Sequence, residues 1–127
     1  MTAALALSRY RKVETAELPR IDDPHAVIQV TLSELVRAVE VLAAAEAVGE
    51  KGPDHHTNRA LSAIYILQSS LDFEKGGDIA DDLFRVYEFS RLQIVKHWQR
   101  EAAPDLSAAA AALKEIQSAW AQIGGTK

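Results

Sequence analysis

Six glycines and four prolines punctuate this 127-residue chain, and they fall in a few short clusters that leave long amphipathic segments uninterrupted. Helix interiors tolerate these two residues least, so where they cluster the chain turns and where they are missing it can stay helical. The first segment opens at Asp22-Asp23-Pro24, an acidic cap before a proline at the first helical position. Ile28, Leu32, Leu35, Val39 and Leu42 then recur at alternating steps of four and three, one buried face of a helix that runs to about Val48. Gly49-Glu50-Lys51-Gly52-Pro53 stops it, and the polar loop Asp54-His55-His56-Thr57 follows. A second helix is predicted from near Asn58 to Lys75-Gly76-Gly77, with the stripe Ala60, Ile64, Leu67, Leu71. A third starts on Asp78, Asp81 and Asp82, whose charge complements the positive end of a helix, and reaches about Arg100. The fourth starts near Pro104-Asp105, carries Leu106, Ala109, Leu113, Ile116, Trp120 and Ile123, and ends at Gly124-Gly125.

Four helices with short connections and no alternating β-branched run predict an all-α fold, an antiparallel up-down four-helix bundle over residues 24–127. Residues 1–23, interrupted by Pro19, read as an irregular or short-helical N-terminal leader. The composition narrows the function classes. There is no cysteine, hence no disulfide and no thiolate metal site, which suits a reducing cytoplasm. With a net charge of −4 and no Lys/Arg block, nucleic-acid binding has nothing to rest on. No apolar run is long enough to insert in a bilayer, and the opening seven residues lack the basic leader of a secretory signal.

The third helix carries more apolar surface than a bundle requires. Ile79, Leu83, Val86 and Ile94 make one stripe; Phe84, Tyr87, Val95 and Trp98 make a second further round; Phe89 and Leu92 lie outside both. A central helix touching two neighbours would account for this completely. The alternative is that one stripe is core and the other a groove that receives a partner helix through anchors at helical spacing, and the sequence leaves both open. Catalysis is not expected. Asp78, Asp81 and Asp82 are placed as macrodipole partners, which favours their charged form, and no nucleophile–base pair or phosphate loop is present. His25, His55, His56 and His97 show no metal-ligand spacing, so no metal or cofactor is expected.

Ser69-Ser70-Leu71-Asp72-Phe73-Glu74-Lys75-Gly76-Gly77-Asp78-Ile79-Ala80 resembles the signature of the flagellar secretion chaperone FliS family, S-L-D-x-E-x-G-G-E-I-A. Leu83, Tyr87, Arg91 and Leu92 fall on the positions that follow it in the family, and Leu113 through Trp120 is similar to its closing L-x-x-L-x-x-x-W. Tyr10 with Val13-Glu14-Thr15 resembles its tyrosine-containing leader. Asp78, Asp82, Val86 and Phe89 replace Glu, Asn, Leu and Tyr, and Leu32-Ser33-Glu34 stands where the family has Tyr-Asp-Gly. The resemblance implies a chaperone rather than an enzyme: a bundle that binds the disordered C-terminal segment of flagellin, blocks premature filament assembly and delivers the subunit to the FlhA component of the export gate. It also implies that the leader tyrosine covers part of the groove until the client arrives. On that footing the expected partner-binding residues are Tyr10, Ile64, Leu71, Ile79, Leu83 and Tyr87. A related bundle serving another flagellar client or regulator is the alternative. A histidine phosphotransfer module built on His97 is a remoter one, because Trp98-Gln99-Arg100-Glu101 lacks the small residue such a site needs beside its phosphorylated ring.

Overall fold

The computed structural model describes residues 23–101 and 103–125, and Tyr10 with the rest of the leader lies outside them. Four helices follow in order: α1 Pro24–Ala47, α2 Asp54–Ser69, α3 Phe73–Trp98 and α4 Leu106–Gly125, with no strand among the described residues. Each neighbour in sequence is a neighbour in space, and α4 closes the ring on α1. This is the antiparallel up-down bundle, with α1 and α3 diagonally opposite.

The helix starts follow from capping chemistry. The Asp23 carboxylate accepts the Ala26 N–H at 3.2 Å with Pro24 behind it, and the Asp105 carboxylate accepts the Ala108 N–H at 3.1 Å to open α4. α2 differs from its sequence prediction at both ends. It starts at Asp54 rather than Asn58, because Pro53 already has the extended geometry of a cap and its carbonyl accepts the His56 N–H at 3.1 Å. It stops at Ser69 rather than Lys75, because Asp72 caps the next helix: its carboxylate accepts the Lys75 N–H at 3.0 Å. Leu71 therefore bridges two helices, half-buried against the core. α3 is interrupted at Gly77 (φ 50°, ψ −124°), a backbone conformation open only to glycine, so Phe73–Gly76 forms a separate turn ahead of the main shaft.

Leu32, Leu35, Val39 and Leu42 of α1 meet Ala60, Ile64 and Leu67 of α2 and Leu106, Ala109 and Leu113 of α4 in one continuous core. α1 packs most extensively, against both of its neighbours; α3 touches α2 and α4 over less of its length. The inward stripe of α3 explains the difference. It reads Ala80, Tyr87, Ser90, Gln93, Ile94 and His97, four of them polar groups that need partners as well as contacts. At the far end of the bundle the His25 and Trp120 rings stack at 4.9 Å; Trp120 Nε1–H donates to the His25 carbonyl at 2.9 Å and His25 Nε2 to the Trp120 carbonyl at 2.7 Å. That clasp ties the start of α1 to the end of α4.

Tyr87 belongs to this core, and burial pushes its phenol up to about 12. The folded state favours the neutral phenol, so this contribution is intact below the ordinary value near pH 10 and is lost as pH rises toward the folded value. Between about pH 9 and about pH 11, urea unfolding should show wild type losing about 1 kcal/mol more than Tyr87→Phe. Equal losses would mean that the phenol reaches water.

Candidate functional site

Among the described residues the large exposed apolar side chains are concentrated on α3: Phe73, Ile79, Phe84, Phe89, Leu92 and Trp98, against Tyr65 alone on α2. Their angular positions sort them. With the buried stripe pointing inward, Phe84, Glu88, Arg91, Val95 and Trp98 follow at steps of four, three, four and three along the side of α3 that faces α2. The facing side of α2 presents Leu61, Tyr65 and Gln68 at matching spacing. Gln68 Nε2 donates to Glu88 Oε1 at 3.1 Å, which fixes the two seams against each other. The line where the two seams meet, the α2–α3 groove, is apolar at both ends and polar in the middle.

Each part of the groove has an identifiable anchor. At its centre Arg91 pairs with Glu88 through two of its nitrogens. Hydrogen bonds from Arg91 first, and from Gln68 second, hold the Glu88 carboxyl below the usual carboxylate range, while Glu88 raises the Arg91 guanidinium. At one end Lys51 Nζ sits 4.9 Å from the centroid of the Trp98 ring. At the other the Phe73 ring meets Phe84 edge-on, with centroids 6.1 Å apart. Tyr65 is 66% exposed and Phe84 39%, so both offer surface that water now covers. Such a run of partly exposed aromatic and aliphatic side chains flanked by fixed polar groups suits an amphipathic segment laid along it.

The residues expected from sequence divide into three groups. Ile64 (1% exposed) and Tyr87 (3%) are buried, so they support the groove from beneath instead of lining it. The reason is rotational: with Ser90, Ile94 and His97 facing inward, Tyr87 falls on the core stripe and not on the second one. Leu71 and Leu83 are half-buried and pack against the core, reachable only at their edges. Ile79 is 71% exposed, because the break at Gly77 leaves the first turn of the main shaft without a neighbour on that side. Tyr10 lies outside the described residues. Sequence reasoning passed over Tyr65, while Phe84 and Trp98 were seen as a stripe but not chosen; the step pattern from Phe84 to Trp98 was the available signal.

His97 is fully buried. The Gly52 N–H donates to its Nε2 at 2.9 Å, so that nitrogen keeps its lone pair and the ring proton sits on Nδ1, 2.6 Å from Glu46 Oε1. With both nitrogens engaged in the core, this imidazole cannot accept a phosphoryl group from another protein. The phosphotransfer alternative falls on that geometry. The approach at position 52 is close: a Cβ there would lie 2.6 Å from Leu42 Cδ2 and push that core side chain aside. Arg100, at φ 59°, completes the junction by donating to the Gly49 carbonyl at 3.0 Å.

The family model described as "Flagellar protein FliS" matches residues 6–127. The chain belongs to the FliS family. It is 30% identical over 122 residues to the flagellar secretion chaperone FliS of Vibrio cholerae, covering 93% of this chain and 88% of that one. It is 29% identical over 123 residues to the flagellar secretion chaperone FliSB of Pseudomonas aeruginosa, covering 94% and 96%. No solved structure matches it. The FliS family is a family of chaperones and not of enzymes. The Ser69–Ala80 signature acquires a structural meaning here: it is the junction at which α2 ends, Asp72 caps, and Gly77 sets the direction of α3. No helix among the described residues is long and apolar enough to cross a membrane.

Proposed function

We propose that this protein is a cytoplasmic flagellar export chaperone that binds the disordered C-terminal segment of flagellin along the α2–α3 groove. The observation that carries the reading is the pair of exposed aromatics Phe84 and Trp98 at the two ends of the α3 seam that faces Leu61 and Tyr65, in a member of the FliS family. An unpolymerised flagellin terminus must lose chain entropy to be held. Burying apolar surface in the groove offsets that loss at about 25 cal/mol per Å². Glu88, Arg91 and Gln68 set the register, because a segment shifted by one turn would press apolar side chains on their fixed charges. Leu71, Leu83 and Ile79 extend the docking surface toward the Gly77 end, and Tyr10 of the leader covers part of it until the client arrives. The complex keeps flagellin from assembling early and brings it to the FlhA component of the export gate.

The test is titration calorimetry of the full chain against flagellin from the same organism, intact and lacking its last ~40 residues, enough for two groove-length helices. Intact flagellin should bind with a negative heat-capacity change, and the truncated form should not bind. Absence of binding to intact flagellin would leave a FliS-type bundle whose client is another flagellar protein.

A further inference from the structure

The Phe73 turn is set off from the shaft of α3 by the break at Gly77 and meets it closely at Gly76, where a Cβ would lie 2.9 Å from Ala80 Cβ. Its internal ties, the Gly76 N–H to the Asp72 carbonyl at 2.7 Å and the Lys75 N–H to the Asp72 carboxylate at 3.0 Å, both lie inside the turn, so it can shift as a unit without breaking either. On one side of it Leu71 is anchored against the core. On the other is Gly77, with a conformation reserved for glycine and nothing within 4 Å of where its Cβ would stand. Detaching the turn does not unravel α3, because Asp78, Asp81 and Asp82 lie in the first turn and a half after the break and can serve as its N-terminal charges. The ring contact recorded for Phe73 is the edge-on pair with Phe84, and both rings stay partly exposed. An aromatic that gains so little burial is easily exchanged for a better-packed one.

We propose that Phe73 is a placeholder: its ring occupies the Phe84 end of the α2–α3 groove, the place an apolar anchor of the client takes, and the turn swings out about Gly77 when the client binds. The inference rests on the client-groove reading above. It makes the free protein partly self-occluded, which shields Phe84 from unwanted contacts while no client is present. The occupant that displaces Phe73 is an aromatic or branched aliphatic side chain on an amphipathic helix, since only such a group matches the edge and face that Phe73 now covers.

The sign of one mutational effect decides it. Flagellin monomer from the same organism is titrated into wild type, Phe73→Ala and Phe73→Leu by calorimetry. Removing the competitor should tighten binding about three- to tenfold for Phe73→Ala, the gain expected when roughly 0.1–0.3 of the free protein is open, and Phe73→Leu should return toward the wild-type value. The melting temperature of Phe73→Ala should stay close to wild type, because the ring is half-exposed. Unchanged or weaker binding by Phe73→Ala, with wild type still binding, overturns the placeholder and leaves the groove reading intact; weaker binding would make Phe73 part of the docking surface itself. If wild type does not bind flagellin at all, the groove reading fails and the placeholder fails with it.

Discussion

Phe84→Asp should abolish flagellin binding, with a loss of at least about 100-fold, while the bundle remains folded. The side chain stands at the Phe73 end of the groove and is already 39% exposed, so a carboxylate there meets water in the free protein and costs little. In the complex the same carboxylate would be stripped of water beside apolar groups, and the nearest guanidinium along the seam, Arg91, is committed to Glu88. Calorimetry reports the affinity, and circular dichroism checks that the helices survive. Near-wild-type binding by folded Phe84→Asp would remove the α2–α3 groove as the docking site and direct attention to Phe89 on the α4 side of α3. The position matters to within one residue. Leu83, the neighbour chosen from sequence, is half-buried against the core, so a charge there would weaken the bundle as well as the docking surface and mix the two effects.

His97→Ala should cost about 3 kcal/mol of stability or more, the largest single-residue effect expected outside the aliphatic core. The substitution leaves a void and strands the buried Gly52 N–H without its acceptor, while Glu46, which also faces Arg100 at 3.7 Å, loses a donor held at 2.6 Å. The α1–α2 connection would then be held to the end of α3 mainly by Arg100. Glu46→Gln separates this account from an ion-pair account. An amide oxygen can still accept from Nδ1–H, so urea unfolding should show a loss of under about 1 kcal/mol for that variant. A loss as large as that of His97→Ala would mean that the imidazole is held as a cation, contrary to the Gly52 donation.

Much of the bundle was legible because helix periodicity is a local property. The stripe from Ile28 to Leu42 and that from Leu106 to Trp120 predicted α1 and α4, and Asp23 and Asp105 cap where an acidic residue next to proline suggested. The end of α2 was misplaced for an equally local reason. Both Asp72 and the Gly76-Gly77 pair are good terminators, and the sequence does not rank a capping carboxylate against a glycine pair four residues on. The groove residues were harder. Tyr87 and Phe84 are both large, aromatic and on the same helix, three residues apart, yet one is buried and the other lines the surface. A rotation of the helix by a few tens of degrees exchanges them, and no propensity encodes that angle.

What the sequence determined by itself was the number, order and approximate extent of the helices, the all-α class, and through the Ser69–Ala80 block the resemblance to the FliS family. What only the tertiary structure decided was the rotation of α3. His97, Ser90 and Gln93 are polar, yet they share the face of Leu83, Val86 and Ile94 and are buried with it. They face inward because partners await two of them across the bundle and in the next connection, Glu46 and Gly52 for His97 and the Asp105 N–H for Gln93. Those partners are 12 to 51 residues away in sequence, so their pull exists only once the chain has folded. With that face held inward, Phe84 and Trp98 stand on its flank, partly exposed beside α2.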